Sequence, residues 1–155
     1  MNKKKTYLTN TGIQKLNDEL TDLTSKQRPE LAKRLRDAIK MGDLKENADY
    51  IAAKEDQAFI EGRILKVKEM LRSSVLISNQ INKQEVSIGS TVTISEENSG
   101  EEQYTLVGSV EADPSMGRIS HESPIGQAII GKSTGDSVQV STPGGNITFE
   151  IIRIE

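Results

Sequence analysis

The sequence predicts an α+β chain, with an N-terminal antiparallel α-helical coiled-coil hairpin followed by a small antiparallel β-sheet domain carrying one short helix. Three observations support this. Apolar residues recur with helical period on both sides of the stretch Gly42-Asp43-Leu44-Lys45-Glu46-Asn47-Ala48-Asp49-Tyr50. That period is lost near Val75-Leu76-Ile77. Beyond it come short alternating runs separated by turn residues. The expected organisation is a hairpin over 1–77, a linker over 78–84 and a sheet domain over 85–155.

The first arm begins at Thr9 or Asn10, either of which can cap a helix, and Ile13, Leu16, Leu20 and Leu23 follow at 3/4/3 spacing. Leu31, Leu35, Ala38 and Ile39 resume the pattern after Pro29, which lacks an amide donor and crowds the preceding turn. A kink or a one-turn break is therefore expected there. On the second arm Ile51, Ala58 and Leu65 recur every seven residues, and Ile60, Ile64, Val67 and Leu71 repeat at 4/3/4 to about Arg72. Gly62 costs helix stability, so it is expected to let the arms approach closely. Two long amphipathic helices with a short connection pack as antiparallel neighbours.

Ser78–Gln84 is polar and reads as a linker. Thr91–Ile94 and Tyr104–Val107 read as strands joined by the acidic loop Ser95–Gln103. Val138–Val140 and Ile147–Ile154 flank the turn Thr142-Pro143-Gly144-Gly145-Asn146. Ser123-Pro124 opens a short helix, with serine as N-cap and proline at the first helical position, and Gly131 closes it.

Composition narrows the function. The chain has 155 residues and no cysteine, which removes disulfides and Cys-based zinc sites and permits a cytoplasmic location. No apolar run is long enough for an ordinary membrane-spanning helix. The net charge of −3 divides unevenly: residues 1–77 carry +4 and residues 78–155 carry −7. The first half is thus the one suited to phosphate, although a merely solvated surface explains the same count. A single His121 provides no histidine pair for a metal, and reads as a surface or turn residue.

Asp43 and Glu46 carry the sharpest chemical signal. Their spacing resembles a capping box, with Asp43 accepting from the amide three residues on and Glu46 reaching back. It also suits a carboxylate pair for a hard divalent cation such as Mg²⁺, which takes oxygen ligands and often only one or two from a protein. Two acids are too few for a tight site unless a partner supplies the rest. Behind them lie Lys26, Arg28, Lys33, Arg34, Arg36, Lys40 and Lys54, either a solvated face or one that runs along a nucleic-acid backbone.

The stretch 42–50, with Ala52-Ala53-Lys54-Glu55 and Ile60-Glu61-Gly62-Arg63-Ile64, resembles the Gre family of bacterial transcript cleavage factors. Val107-Gly108, Glu111-Ala112-Asp113, Ile119-Ser120, Ser123-Pro124-Ile125-Gly126, Gly131-Lys132, Gly135-Asp136 and Pro143-Gly144-Gly145 extend the similarity from about Leu8 to Ile154. The resemblance implies an FK506-binding-protein-like fold for the C-terminal domain. It further implies a cytoplasmic transcription elongation factor that binds bacterial RNA polymerase and inserts its hairpin through the secondary channel. There it stimulates the polymerase's cleavage of backtracked RNA at the 3′ end.

By that resemblance Asp43 and Glu46 are the catalytic tip acids and share Mg²⁺ with the polymerase, while Asn47, Asp49 and Tyr50 support the tip. Arg36, Lys40 and Lys54 are the RNA-contact candidates; Ile39 stands where the family often has arginine. Glu122, Ser123 and Pro124 match the polymerase-binding loop. The chain is not expected to be an enzyme alone, to hold metal tightly alone or to meet a membrane, and a monomer is expected. Three alternatives are an inhibitory homologue that occupies the channel without promoting cleavage, a generic coiled-coil adaptor or chaperone, and a prolyl isomerase. The last needs an aromatic-lined pocket, for which the C-terminal half offers only Tyr104 and Phe149.

Overall fold

The computed structural model describes residues 4–78 and 82–155. Its order is β1 (Thr6–Leu8), α1 (Asn10–Asp22), a π-helical turn (Leu23–Gln27), α2 (Arg28–Ile39), α3 (Ala48–Arg72), β2 (Ser74–Leu76), β3 (Thr91–Glu96), β4 (Gly100–Val107), β5 (Arg118–Ser120), α4 (Pro124–Ile129), β6 (Ser137–Thr142) and β7 (Gly145–Ile154). The class is α+β, as expected. Contacts divide the chain into one unit of Ile13–Ser73 and another made of the residues on either side.

In the helical unit the first arm is α1, the π turn and α2, and the second arm is α3. Leu16, Leu23, Leu31 and Ala38 are buried against Ala53, Ile64 and Val67. The expected break at Pro29 takes the form of the π turn. Arg28 donates to the carbonyl of Leu23, five residues back, and the wider turn accommodates a proline that cannot complete the ordinary ladder. Three ion pairs link the arms in antiparallel sense: Arg63 to Glu19 at 2.5 Å, Arg28 to Glu61 at 2.8 Å and Arg34 to Asp56 at 2.6 Å.

Two expectations about the second arm need correction. The row Ile51, Ala58 and Leu65 faces solvent, with Leu65 69% exposed. Buried Ala53, Ile64 and Val67 lie on the other helical row, together with half-buried Ile60. Gly62 does not mediate close approach of the arms, since a Cβ built there meets nothing within 4 Å.

The second unit holds two sheets. β1 and β2 pair in parallel, Tyr7 opposite Val75, a pairing with no counterpart in the sequence reading because each strand is only three residues long. By contacts, residues 4–12 and 74–78 group with the sheet unit, where β1 and β2 pair. The expected linker 78–84 falls partly on residues 79–81, outside the described residues. At its end Asn82 Oδ1 accepts from the Gln84 amide at 3.0 Å.

The larger sheet has the order β5-β4-β3-β7-β6, antiparallel except for β4–β5, with a register shift between Thr93 and Ile94 against β7. Its apolar face and α4 enclose a core that includes Val92, Leu106, Ile129, Val138, Phe149 and Ile151. The expected acidic loop 95–103 is mostly strand: Ser95 and Glu96 pair with Glu101 and Gly100, which leaves a tight turn over 97–99. Polar side chains on an exposed strand end hide the period of two, although the backbone ladder continues.

Thr9 caps α1, its Oγ1 accepting from the Gly12 amide at 3.1 Å. Glu111, whose side chain is 6% exposed, holds that cap in place. It accepts from the Thr9 amide at 2.7 Å and hydroxyl at 2.5 Å, and from Arg118 at 3.1 Å.

Candidate functional site

α2 ends where the Lys40 amide donates to Arg36 and that of Met41 to Ala38, at 3.3 and 3.1 Å. Gly42 follows at φ +124°, a conformation that side chains disfavour. The chain then turns through Asp43, whose Oδ1 accepts from the Lys45 amide at 3.0 Å. This is an Asx turn two residues long and not the expected capping box. The N-cap of α3 is Asn47, in extended conformation, with Oδ1 accepting from the Tyr50 amide at 3.1 Å. The Ile51 amide closes the first helical turn onto the Asn47 carbonyl at 3.1 Å. The capping assignment therefore moves from Asp43 to Asn47, because the Asp43 carboxylate is engaged by the nearer amide.

Asn47 does more than cap. Its Nδ2 donates to the carbonyl of Ala38, on the other arm, at 2.7 Å. One half-buried side chain thus joins the last turn of α2 to the first turn of α3. Asp49 lies in that first turn, where partial positive charge from unpaired amides favours an acid. Tyr50 is half-buried beside it.

This arrangement leaves Asp43 and Glu46 exposed on a turn with both ends fastened. Asp43 Oδ2 and both oxygens of Glu46 have no hydrogen-bond partner among the described residues, so they remain available as oxygen ligands. No cluster of three or more potential metal ligands occurs among the described residues. The donors suit a hard cation such as Mg²⁺, and their number suits an ion whose other ligands come from elsewhere.

The basic residues separate into two groups. Arg28 and Arg34 are committed to the inter-arm pairs with Glu61 and Asp56. Lys33, Arg36 and Lys40 are exposed on the first arm, and Lys54 is exposed on α3 with its Nζ 3.1 Å from Gln57 Oε1. Ile39 is 52% exposed between Arg36 and Lys40.

In the sheet unit, Ser123 is the N-cap of α4. Its Oγ accepts from the Gly126 amide at 3.1 Å and donates to the Ser120 carbonyl at 2.6 Å. Pro124 follows, exposed, at the start of the helix. A Cβ at Gly126 would lie 2.1 Å from the Ser120 carbonyl oxygen, so this loop folds closely on itself only with glycine there. Glu122 accepts from Ser109 Oγ at 2.5 Å and pairs with Lys4 at 2.9 Å. The Ser109 hydrogen bond, then Lys4, hold its carboxyl below the ordinary range. Neither partner was foreseeable from sequence, because they lie on separate segments. His121 stacks edge-on against Tyr7 and sits 3.4 Å from the Val107 carbonyl, in keeping with a turn residue.

Tyr104 and Phe149 both line a cavity of about 110 Å³, with Ile94, Ile125, Val140 and Ile147. Ligand pockets are typically about 300–1,000 Å³, so this space does not favour the isomerase alternative. Among the described residues, no helix is long and apolar enough to cross a membrane.

Comparisons with known proteins agree across both units. Residues 6–76 match the family described as "Transcription elongation factor, N-terminal", and residues 81–155 match "Transcription elongation factor, GreA/GreB, C-term". The chain is 49% identical to transcription elongation factor GreA of Leuconostoc mesenteroides, over 99% of each chain. It is 46% identical to the GreA of Shouchella clausii, over 97% of each. Among solved structures it is similar to GreA factor homolog 1 of Thermus thermophilus, at 26% identity and a TM-score of 0.46, covering 98% of this chain and 99% of that one.

Proposed function

The chain belongs to the GreA/GreB family of transcription elongation factors, and we propose that it acts by stimulating RNA polymerase to cleave its own backtracked transcript. The observation that carries this reading is the tip: two exposed carboxylates with free oxygens on a turn that Asn47 ties to both arms. Asp43 and Glu46 would hold a Mg²⁺ ion jointly with ligands of the polymerase. When bound there, that ion supplies positive charge to the phosphoryl group and lowers the pKa of an attacking water.

The chain's own residues bind and orient. The Asx turn at Asp43 fixes one carboxylate, and the cap at Asn47 fixes the helix that follows. Fixed placement matters because a ligand positioned in advance loses no freedom when the reaction needs it. Arg36, Lys40 and Lys54 are proposed to neutralise phosphates of the extruded RNA, with Ile39 adding apolar contact where the family often has arginine. Ser123 and Pro124 are proposed to dock on the polymerase, with Glu122 oriented by Ser109 and Lys4. On this reading the chain is not an enzyme alone, and it works in the cytoplasm beside the polymerase.

The test is the double variant Asp43→Asn with Glu46→Gln. Asparagine still accepts from the Lys45 amide, and Glu46 has no bond to lose among the described residues, so the hairpin should keep its stability and polymerase binding. Cleavage of backtracked RNA in Mg²⁺ is expected to fall by about two orders of magnitude or more, as for loss of a group that stabilises charge in the transition state. Full cleavage by the double variant would remove the ligand assignment. A native chain that binds polymerase and blocks cleavage would support the inhibitory alternative.

A further inference from the structure

An exposed stripe of α3 borders the seam between the arms and makes none of the three inter-arm ion pairs. Glu55, Phe59, Gly62 and Lys66 follow 4/3/4 spacing, so they form one stripe about 16 Å long. All four are exposed, and Phe59, 75% exposed, lines a groove with Gln27 and Leu31 of the first arm. Beside it Gly62 leaves a notch, open to solvent, where a Cβ would meet nothing. Glu19, Leu23 and Gln27 of the first arm line this notch together with Ala58, Arg63 and Lys66. Neither Glu55 nor Lys66 makes a hydrogen bond or ion pair among the described residues.

We propose that this stripe is a self-association surface whose occupant is the same stripe of a second copy of the chain. The argument is its self-complementarity. A two-fold contact requires that each feature on a surface meet its complement on that same surface. If two α3 helices run antiparallel about an axis between residues 60 and 61, Phe59 of each copy faces Gly62 of the other. The same operation sets Glu55 against Lys66, twice. One axis therefore matches knob to notch and acid to base. A contact of this size falls well below the standard protein interface, so the association is weak and reversible, and its charged ends make it sensitive to salt. Its consequence for cleavage rests on the function proposed above: a paired hairpin is withheld from the polymerase.

The association itself is tested without polymerase, by sedimentation equilibrium of the full chain at low salt. The average mass should rise from 17.0 kDa toward twice that value with concentration. Phe59→Ser should abolish the rise without lowering the thermal midpoint, because the ring is exposed. Glu55→Lys should weaken association by about tenfold, and Glu55→Lys with Lys66→Glu should restore it to within about threefold, as coupled charges require.

The chain has no cysteine of its own, which permits a second measurement. A mixture of Phe59→Cys and Gly62→Cys chains should form the mixed disulfide on oxidation, while Leu65→Cys, on another face, should not. A mass that stays at 17.0 kDa up to about 1 mM, a range that reaches even millimolar affinities, would overturn the proposal. So would failure of the charge exchange to rescue association. A Phe59→Ser variant that loses only polymerase affinity would assign the face to polymerase instead.

Discussion

Replacing Asn47 tests whether the tip is held as described. Asn47→Ala removes two bonds at once: the cap on the Tyr50 amide at 3.1 Å and the link to the Ala38 carbonyl at 2.7 Å. Loss of an N-cap costs about 1 kcal/mol. The second loss is smaller, about 0.5 kcal/mol, because the Ala38 carbonyl keeps the Met41 amide. The combined 1.5 kcal/mol corresponds to about a tenfold rise in local opening, since 1.4 kcal/mol is a factor of ten. Asn47→Asp separates the two terms, because a carboxylate still caps Tyr50 but cannot donate to Ala38. Native-state hydrogen exchange at the Tyr50 amide reads the cap, and RNA cleavage reads the placement of Asp43 and Glu46. Exchange should quicken in the alanine variant and return close to native in the aspartate variant, while cleavage falls in both. An alanine variant with unchanged Tyr50 exchange would refute the account of how the tip is held.

Gly126→Ala should destabilise the sheet unit by about 2 kcal/mol or more, from the 2.1 Å approach to the Ser120 carbonyl, and weaken polymerase docking with it; urea unfolding checks the first part. Gly62→Ala should stabilise the hairpin by about 1 kcal/mol in dilute solution, where only helix propensity acts, as a higher thermal midpoint would show. For pH, the Arg63 hydrogen bond holds Glu19 below its ordinary 4.5. Its stabilising contribution is therefore complete above about 4.5 and is lost as pH falls through the lowered folded value. Glu19→Gln should remove that part of the acid dependence, and identical acid profiles would show that the pair contributes nothing.

Much of the hairpin was legible because its determinants are local. The 3/4 spacing of Ile13, Leu16, Leu20 and Leu23 marks a helix wherever it lies, and Pro29 marks a disturbance whatever its form. The seam of α3 was less clear. Ile51, Ala58 and Leu65 share the seven-residue recurrence of a seam, and only packing shows that Ile64 and Val67 are buried while Leu65 is not. Asp43 and Glu46 were identifiable as an acidic pair, but two carboxylates three residues apart fit both a cap and a ligand set. The structure gives the cap to Asn47 and leaves Asp43 with an Asx turn on the Lys45 amide.

The sequence by itself determined the class of the protein, the acidic turn between two arms and the helix start at Ser123-Pro124. Each depends on residues close in the chain, so periodicity and side-chain chemistry suffice. Tertiary structure alone decided the parallel β1–β2 pair, the grip of Glu111 on Thr9 and Arg118, the setting of Glu122 by Ser109 and Lys4, and the reach of Asn47 to Ala38. In each of those contacts the partners come from different elements. No local pattern encodes which carbonyl an amide will meet once two elements pack, and at the tip that meeting joins the two arms.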